Sequence, residues 1–217
     1  SAPLIKGGLG GSHQVAVLTW QEGQELEDFV SVYQKNAFSL DQTELKPDGW
    51  RLESSKVLRL LDKLRNAGTP LGEYVNGRFY RGILTGFNEA FIIDEAKRNE
   101  LITLDSRSAE IIYPFANGDD IRKYYIRNKN RYLIFTRRGI EIDKYPAIKK
   151  HLEKYKTRLM PGEPGGRKPG PYKWYDIQDT IAYAEKFKLP KIIFPDIAKE
   201  SRWANSDTTL FVANTAY

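Results

Sequence analysis

Apolar residues arrive in this chain in short bursts, and no burst is long enough to make a large element alone. Val57, Leu60, Leu61 and Leu64 share one helical stripe. Ser54 or Ser55 can cap that helix, and Gly68 followed by Pro70 stops it, so the spacing predicts a helix over about 55–66 that packs on the domain body. Val15 to Leu18, Phe79 to Ile83, Ala90 to Ile93, Lys191 to Phe194 and Leu210 to Val212 read as short extended segments. Arg131 to Thr136 is apolar on both faces and is expected to be a central strand. These bursts never follow the strict strand–helix order of a doubly wound sheet. The fold expected is therefore α+β, with short mixed and antiparallel strands in a curled sheet and helices at its periphery.

The remaining punctuation is local. Residues 1–13, rich in Gly and Ser, read as a flexible leader, and 14–217 as a single domain. Glu25 to Asn36 is weakly helical, Pro47-Asp48-Gly49 is a turn, and a short helix covers 71–75. Asp94 caps a helix running to about Thr103, and a helical turn over 109–113 is ended by Pro114. Pro146 opens a helix whose buried stripe is Ile148, Leu152, Tyr155 and Leu159. From Met160 to Pro171 stand four glycines and four prolines, which exclude regular structure. Asp176 then caps a helix to Lys188 with Ile177, Ile181, Ala184 and Phe187 inward.

Several chemistries are excluded by what the chain lacks. There is no cysteine, hence no disulfide, thiolate metal site or cysteine nucleophile. The two histidines, His13 in the leader and His151 on a lysine-rich helix, are far apart, and His151 is expected at the surface. No apolar run reaches the roughly 18 residues of a membrane span, and the chain reads as soluble and cytoplasmic. No Pro-Pro dipeptide occurs, so the Asp/Asn-Pro-Pro-aromatic loop of an amino-methyltransferase is missing. The loop from Gly162 to Pro169 lacks the Gly-Lys-Ser/Thr ending of a phosphate cradle. Pro195-Asp196 and Glu95-Ala96-Lys97 contain the letters of a metal-dependent nuclease in the wrong order.

Charge is the positive clue. Between Arg122 and Lys173 stand sixteen basic and four acidic residues, net +12, while the rest of the chain carries eighteen basic and twenty-four acidic, net −6. A basic segment on a mildly acidic body suits a polyanion-binding face, here expected as one concave side against a double helix. A solvated helix face with a flexible loop is the plainer alternative.

One stretch goes beyond composition. Phe79-Tyr80-Arg81-Gly82-Ile83-Leu84-Thr85-Gly86-Phe87-Asn88-Glu89-Ala90-Phe91-Ile92-Ile93-Asp94 resembles the signature of the TaqI-like C-terminal specificity domain of adenine-N6 DNA methyltransferases and fused type II restriction–modification enzymes. Further blocks follow in order. They are Ser108-Ala109-Glu110-Ile111-Ile112-Tyr113-Pro114-Phe115, Asp120-Ile121-Arg122-Lys123-Tyr124, Tyr132-Leu133-Ile134-Phe135-Thr136, Tyr145-Pro146-Ala147-Ile148-Lys149-Lys150-His151-Leu152, Trp174-Tyr175 and Pro190-Lys191-Ile192-Ile193-Phe194-Pro195-Asp196-Ile197-Ala198. The chain departs at Asn117-Gly118-Asp119, where that family often carries arginines, which weakens the case for a phosphate contact at this turn.

The resemblance implies a DNA methylase specificity-type fold, truncated here before its closing helices, that recognises a target site in prokaryotic phage defence. The partners implied are double-stranded DNA and a methyltransferase domain elsewhere in the same polypeptide, with no membrane. S-adenosylmethionine would belong to that catalytic domain, and Mg²⁺ only to an accompanying nuclease domain. The chain itself would hold no cofactor and no catalytic residue. Metal-dependent nuclease and basic-faced protein scaffold are the rival functions. Candidates for phosphate contact are Arg122, Lys123, Arg127, Lys129, Arg131, Arg137, Arg138, Arg167, Lys168 and Lys173. Arg137, Arg138 and Arg167 also suit guanine, whose O6 and N7 take two donors together. Thr85 and Asn88 are candidate polar contacts, or serve backbone groups in a tight turn. Trp174 and Tyr175 pack on sugars or bases, or anchor the loop to the core. Gly82 and Gly86 are expected to serve positive φ or close chain approach, and Ile192, Ile193 and Phe194 to be core.

Overall fold

Four short strands carry the C-terminal part of the molecule. A computed structural model describes residues 13–20, 29–47 and 49–217. The chain forms two compact units, Ser1–Arg78 and Phe79–Tyr217. The leader up to residue 12, residues 25–28 of the expected first helix and Asp48 of the expected turn lie outside the described residues.

In the first unit β1 (Gln14–Val17) pairs antiparallel with β2 (Phe38–Asp41), and α1 (Phe29–Asn36) lies between them in sequence. The strand register sets Val15 opposite Leu40, and the His13 carbonyl accepts from Gln42 N at 2.6 Å. Val17 and Leu40 form a small core with Leu58 of α2 (Ser55–Ala67), and α3 (Leu71–Tyr74) follows. The stripe predicted for α2 is not its buried face. Leu60 and Leu64 are 55% and 60% exposed, and Val57 is exposed as well. The helix is rotated by about one residue so that Leu58 meets Leu40. The core of this unit is too small to cover a four-residue stripe.

In the second unit β10 (Phe211–Val212), β4 (Ile112–Ala116), β7 (Arg131–Ile134) and β3 (Ile92–Asp94) form one sheet in that order. β10 runs parallel to β4, and the other pairs are antiparallel. The architecture is α+β with short mixed strands and surrounding helices. β7 is central because Leu133 and Ile134 are covered on both sides, as an apolar strand requires. Pro114 lies inside β4 rather than ending a helix. It faces Tyr132 before β10 begins to pair at Phe115, so its missing N–H breaks no ladder bond to β10. Only a 3₁₀ turn, Ser106–Ile111, precedes it.

α4 (Asn88–Phe91) leads into β3, and Asp94 caps α5 (Glu95–Leu104) by accepting from Lys97 N at 2.8 Å. Pro146 opens α6 (Pro146–Glu153), which buries Ile148 and Leu152. The predicted long helix breaks here. Tightened bonds from Lys154 N to His151 O and from Tyr155 N to Leu152 O close α6 before α7 (Lys156–Leu159) buries Leu159. Ile177, Ile181, Ala184 and Phe187 are all buried as expected, yet no α-helix runs from Asp176; only Ala184–Lys188 is helical, as a 3₁₀ turn.

The 79–83 segment is not a strand either. It is irregular apart from Ile83, which bridges Ala213 beside β10. A Cβ on residue 82 would collide with the Ala213 carbonyl, which is why glycine stands there. β8 (Lys191–Ile193) and β9 (Ala204–Ser206) form a separate antiparallel ribbon. Successive strand side chains point to opposite faces, so Ile193 is core as expected, whereas Ile192 is exposed and Phe194 only half-buried, contrary to the expectation for those two.

Candidate nucleic-acid interface

The turn from Leu84 to Glu89 is held from beneath. Leu84 N donates to the Asp179 carboxylate at 2.9 Å, and Gln178 N donates to Thr85 O at 3.1 Å. Thr85 is buried, and its hydroxyl serves the turn. Oγ1 accepts from Phe87 N at 3.2 Å and therefore spends its proton on Asn88 Oδ1, 2.6 Å away. That bond fixes the Asn88 amide so that its NH₂ points away from Thr85. Gly86, at φ +83, brings the turn against the Arg167 and Gln178 side chains.

Arg167 corrects the sequence reading most sharply. Expected in a flexible loop with access to DNA, it is 5% exposed. Its guanidinium donates all five N–H groups to carbonyls. The acceptors are Leu159 at 2.9 Å, Thr85 at 3.0 Å, Asp176 at 2.8 Å, Trp174 at 3.0 Å and Lys173 at 3.3 Å. The Gly/Pro segment is irregular but closed, with Gly162 N bonded to Arg167 O and Arg167 N to Met160 O. Burial pulls the Arg167 pKa below its ordinary value, with Tyr172 and Asp176 acting the other way. Burial raises Asp176, against the Lys173 N–H that its carboxylate accepts at 2.8 Å.

Above this support lies a groove of about 560 Å³, lined by the Gly86–Glu89 turn, Gly166 to Lys168, Gln178 and Asn214. A second recess of about 290 Å³ shares Asn88 and Asn214 with it and continues to Asn117, Asp119, Asp196 and Ile197. Lys168 is exposed at the rim, and the Arg158 guanidinium lies over Phe87, itself a lining residue, at 4.9 Å. Lys156 lies over Trp174 at 5.3 Å. Trp174 packs against the core, half-buried, which favours the anchoring role foreseen for it.

The basic segment is not one continuous strip. Arg131 and Lys129 turn toward the buried Asp120, Lys129 at 3.4 Å. Arg122 donates to the carbonyls of its own turn, Asp119 and Ile121. Arg138 donates to Gln178 O at 3.2 Å and lies over Tyr172. Lys144 and Lys149 pair with Glu141 and Asp143. Lys123, beside Tyr124, and Arg127 are exposed near the hairpin of β5 (Ile121–Arg122) and β6 (Tyr125–Ile126). Arg137 is exposed, and Lys173 lies over Tyr175 at 5.5 Å. Of the predicted contacts, the groove collects Asn88 and Lys168 on its lining and Thr85 and Arg167 in its support. Gln178, Asn214 and Arg158 were not foreseen as contacts; Gln178 and Asn214 come from distant segments with no local motif.

His151 is the other correction. It is buried, and its Nε2 donates to Ala90 O at 3.0 Å, because the residue falls on the inner face of α6 beside Leu152. Among the described residues no group of three or more His, Cys, Asp or Glu is placed to hold a metal ion. Glu95 accepts from Asn130 at 3.3 Å, and Asp196 lies in the recess. No helix among the described residues is long and apolar enough to cross a membrane.

No family model matches the chain, and no curated protein matches it. Eighteen chains of solved structures do match. One of them is the type IIL restriction–modification enzyme MmeI in complex with DNA, at 16% identity and a TM-score of 0.45. The likeness covers 63% of this chain and 18% of that longer one.

Proposed function

We propose that the Phe79–Tyr217 unit binds duplex DNA as the target-recognition part of an adenine-N6 DNA methyltransferase of a restriction–modification system. The observation that carries this reading is the convergence of three side-chain amides, Asn88, Gln178 and Asn214, on one groove bordered by Lys168 and Arg158. Amides pair with adenine through N6 and N7, while cations at the rim hold phosphates and set the register. The seven blocks that resemble TaqI-like specificity domains run through the same unit and include the Thr85–Asn88 turn. On this reading the transfer chemistry and S-adenosylmethionine belong to a catalytic domain elsewhere in the polypeptide, and this chain supplies binding.

The test is selection. The 217-residue chain, incubated with random-sequence duplexes, is expected to enrich a short motif containing an adenine. Asn88→Ala should relax the preference at one position, and Lys168→Ala should weaken binding to all sequences alike. No enriched motif, or enrichment that survives removal of all three amides, would refute the reading.

A further inference from the structure

Between β8 and β9 the chain leaves the ribbon at Phe194 and returns at Trp203, directly after the register pair Ile193–Ala204. The base of this loop is closed firmly. Phe194 and Tyr217 exchange backbone bonds at 3.0 and 2.9 Å, and Asp196 N donates to Thr215 O at 2.8 Å. The Phe194 and Trp203 rings stack at 4.4 Å, and Trp203 O accepts from Tyr124 N at 2.8 Å. From that closed base projects Ile197, 91% exposed, more than any other large apolar side chain among the described residues.

Ile197 does not stand at a random place on the surface. It lines the recess that continues the groove, together with Asn88, Asn117 and Asn214. Asp119 and Asp196 line the same recess, and their carboxylates repel phosphate oxygens, so a nucleic-acid backbone is disfavoured there. What fits amides, carboxylates and a bare branched alkyl group together is the edge of the base stack. We infer that Ile197 is a wedge that enters one base step of the bound duplex and unstacks it, in the manner of apolar side chains that kink DNA. The inference rests on the DNA-binding reading and assigns this loop its part in it. The fixed base lets the loop push without folding back, and the wedge leaves water only when DNA is present.

The experiment uses the full chain and the duplex enriched by selection, with 2-aminopurine substituted at successive positions in turn. The wild-type chain should brighten the fluorophore several-fold at one step only. Ile197→Leu should keep that rise, and Ile197→Ala should abolish it while leaving the melting temperature unchanged and the affinity within a few-fold. If a motif is enriched but no position brightens, or if Ile197→Ala brightens it equally, the wedge is overturned and the DNA-binding reading stands. If no motif is enriched, both fall together.

Discussion

Arg167 has five N–H groups and five carbonyl partners, and no other side chain can replace that match. Lysine offers three donors from a single point, so Arg167→Lys leaves at least two of these five buried bonds unmade, with only Thr85 O and Lys173 O also served by backbone N–H groups. We expect a loss of about 2–4 kcal/mol in urea denaturation; a loss under about 0.5 kcal/mol would show that the carbonyls are served otherwise. At His151, burial holds the imidazole below its ordinary pKa near 6.5; the Ala90 bond opposes this, and Lys97 and Lys154 add to it. The unfolded chain therefore binds its proton first as pH falls. The contribution of a neutral His151 is complete above about 6.5 and is lost progressively toward the lower folded-state value. Melting temperature should drop between pH 7.5 and 5, and His151→Gln should flatten that dependence. An unchanged slope in the variant would place the titrating group elsewhere.

At the scale of elements, the sequence told some starts, but the strand expected over 79–83 and the α-helix expected from Asp176 do not form. The starts of α5 and α6 are written in the cap Asp94 and in Pro146 at the first helical position, because both act only on neighbours in the chain. The orientation of α2 depends on what lies opposite, and the 3.6-residue period does not carry that information. Leu60→Lys and Leu64→Lys should each change stability by no more than about 0.5 kcal/mol, since both are exposed. Thermal melting checks this, and a collapse of the fold would show that the stripe is covered after all. Gly82 is the opposite case. Its backbone N donates to Ala216 O at 2.8 Å, and the carbonyl of Ala213 fills the place of a Cβ. Gly82→Ala should cost about 2–3 kcal/mol by the same melting measurement.

At the scale of the whole chain, a net charge of +6 says less than the fate of each cation. Lys144 and Lys149 are neutralised within the chain, whereas Lys168 faces solvent at the groove and Arg158 covers one of its lining rings. Each phosphate contact removed lowers the slope of log affinity against log salt by about 0.9. Arg158→Ala and Lys168→Ala should each do so, and Lys144→Ala and Lys149→Ala should not. Equal effects from all four substitutions would mean that diffuse charge, not the groove, attracts the polyanion.

Read alone, the residues were enough for the α+β class, the central strand, the starts of α2, α5 and α6 and the polar turn around Thr85 and Asn88. All of these follow from period, capping and turn chemistry, which act over a few neighbouring positions. Only the tertiary structure decided which cations stay outside. A buried guanidinium and a solvated one look alike in sequence, and Arg167 went inside because five carbonyls from separate segments converge on it. The same holds for the groove, since Asn88, Gln178 and Asn214 meet only after distant stretches of the chain have packed on one sheet.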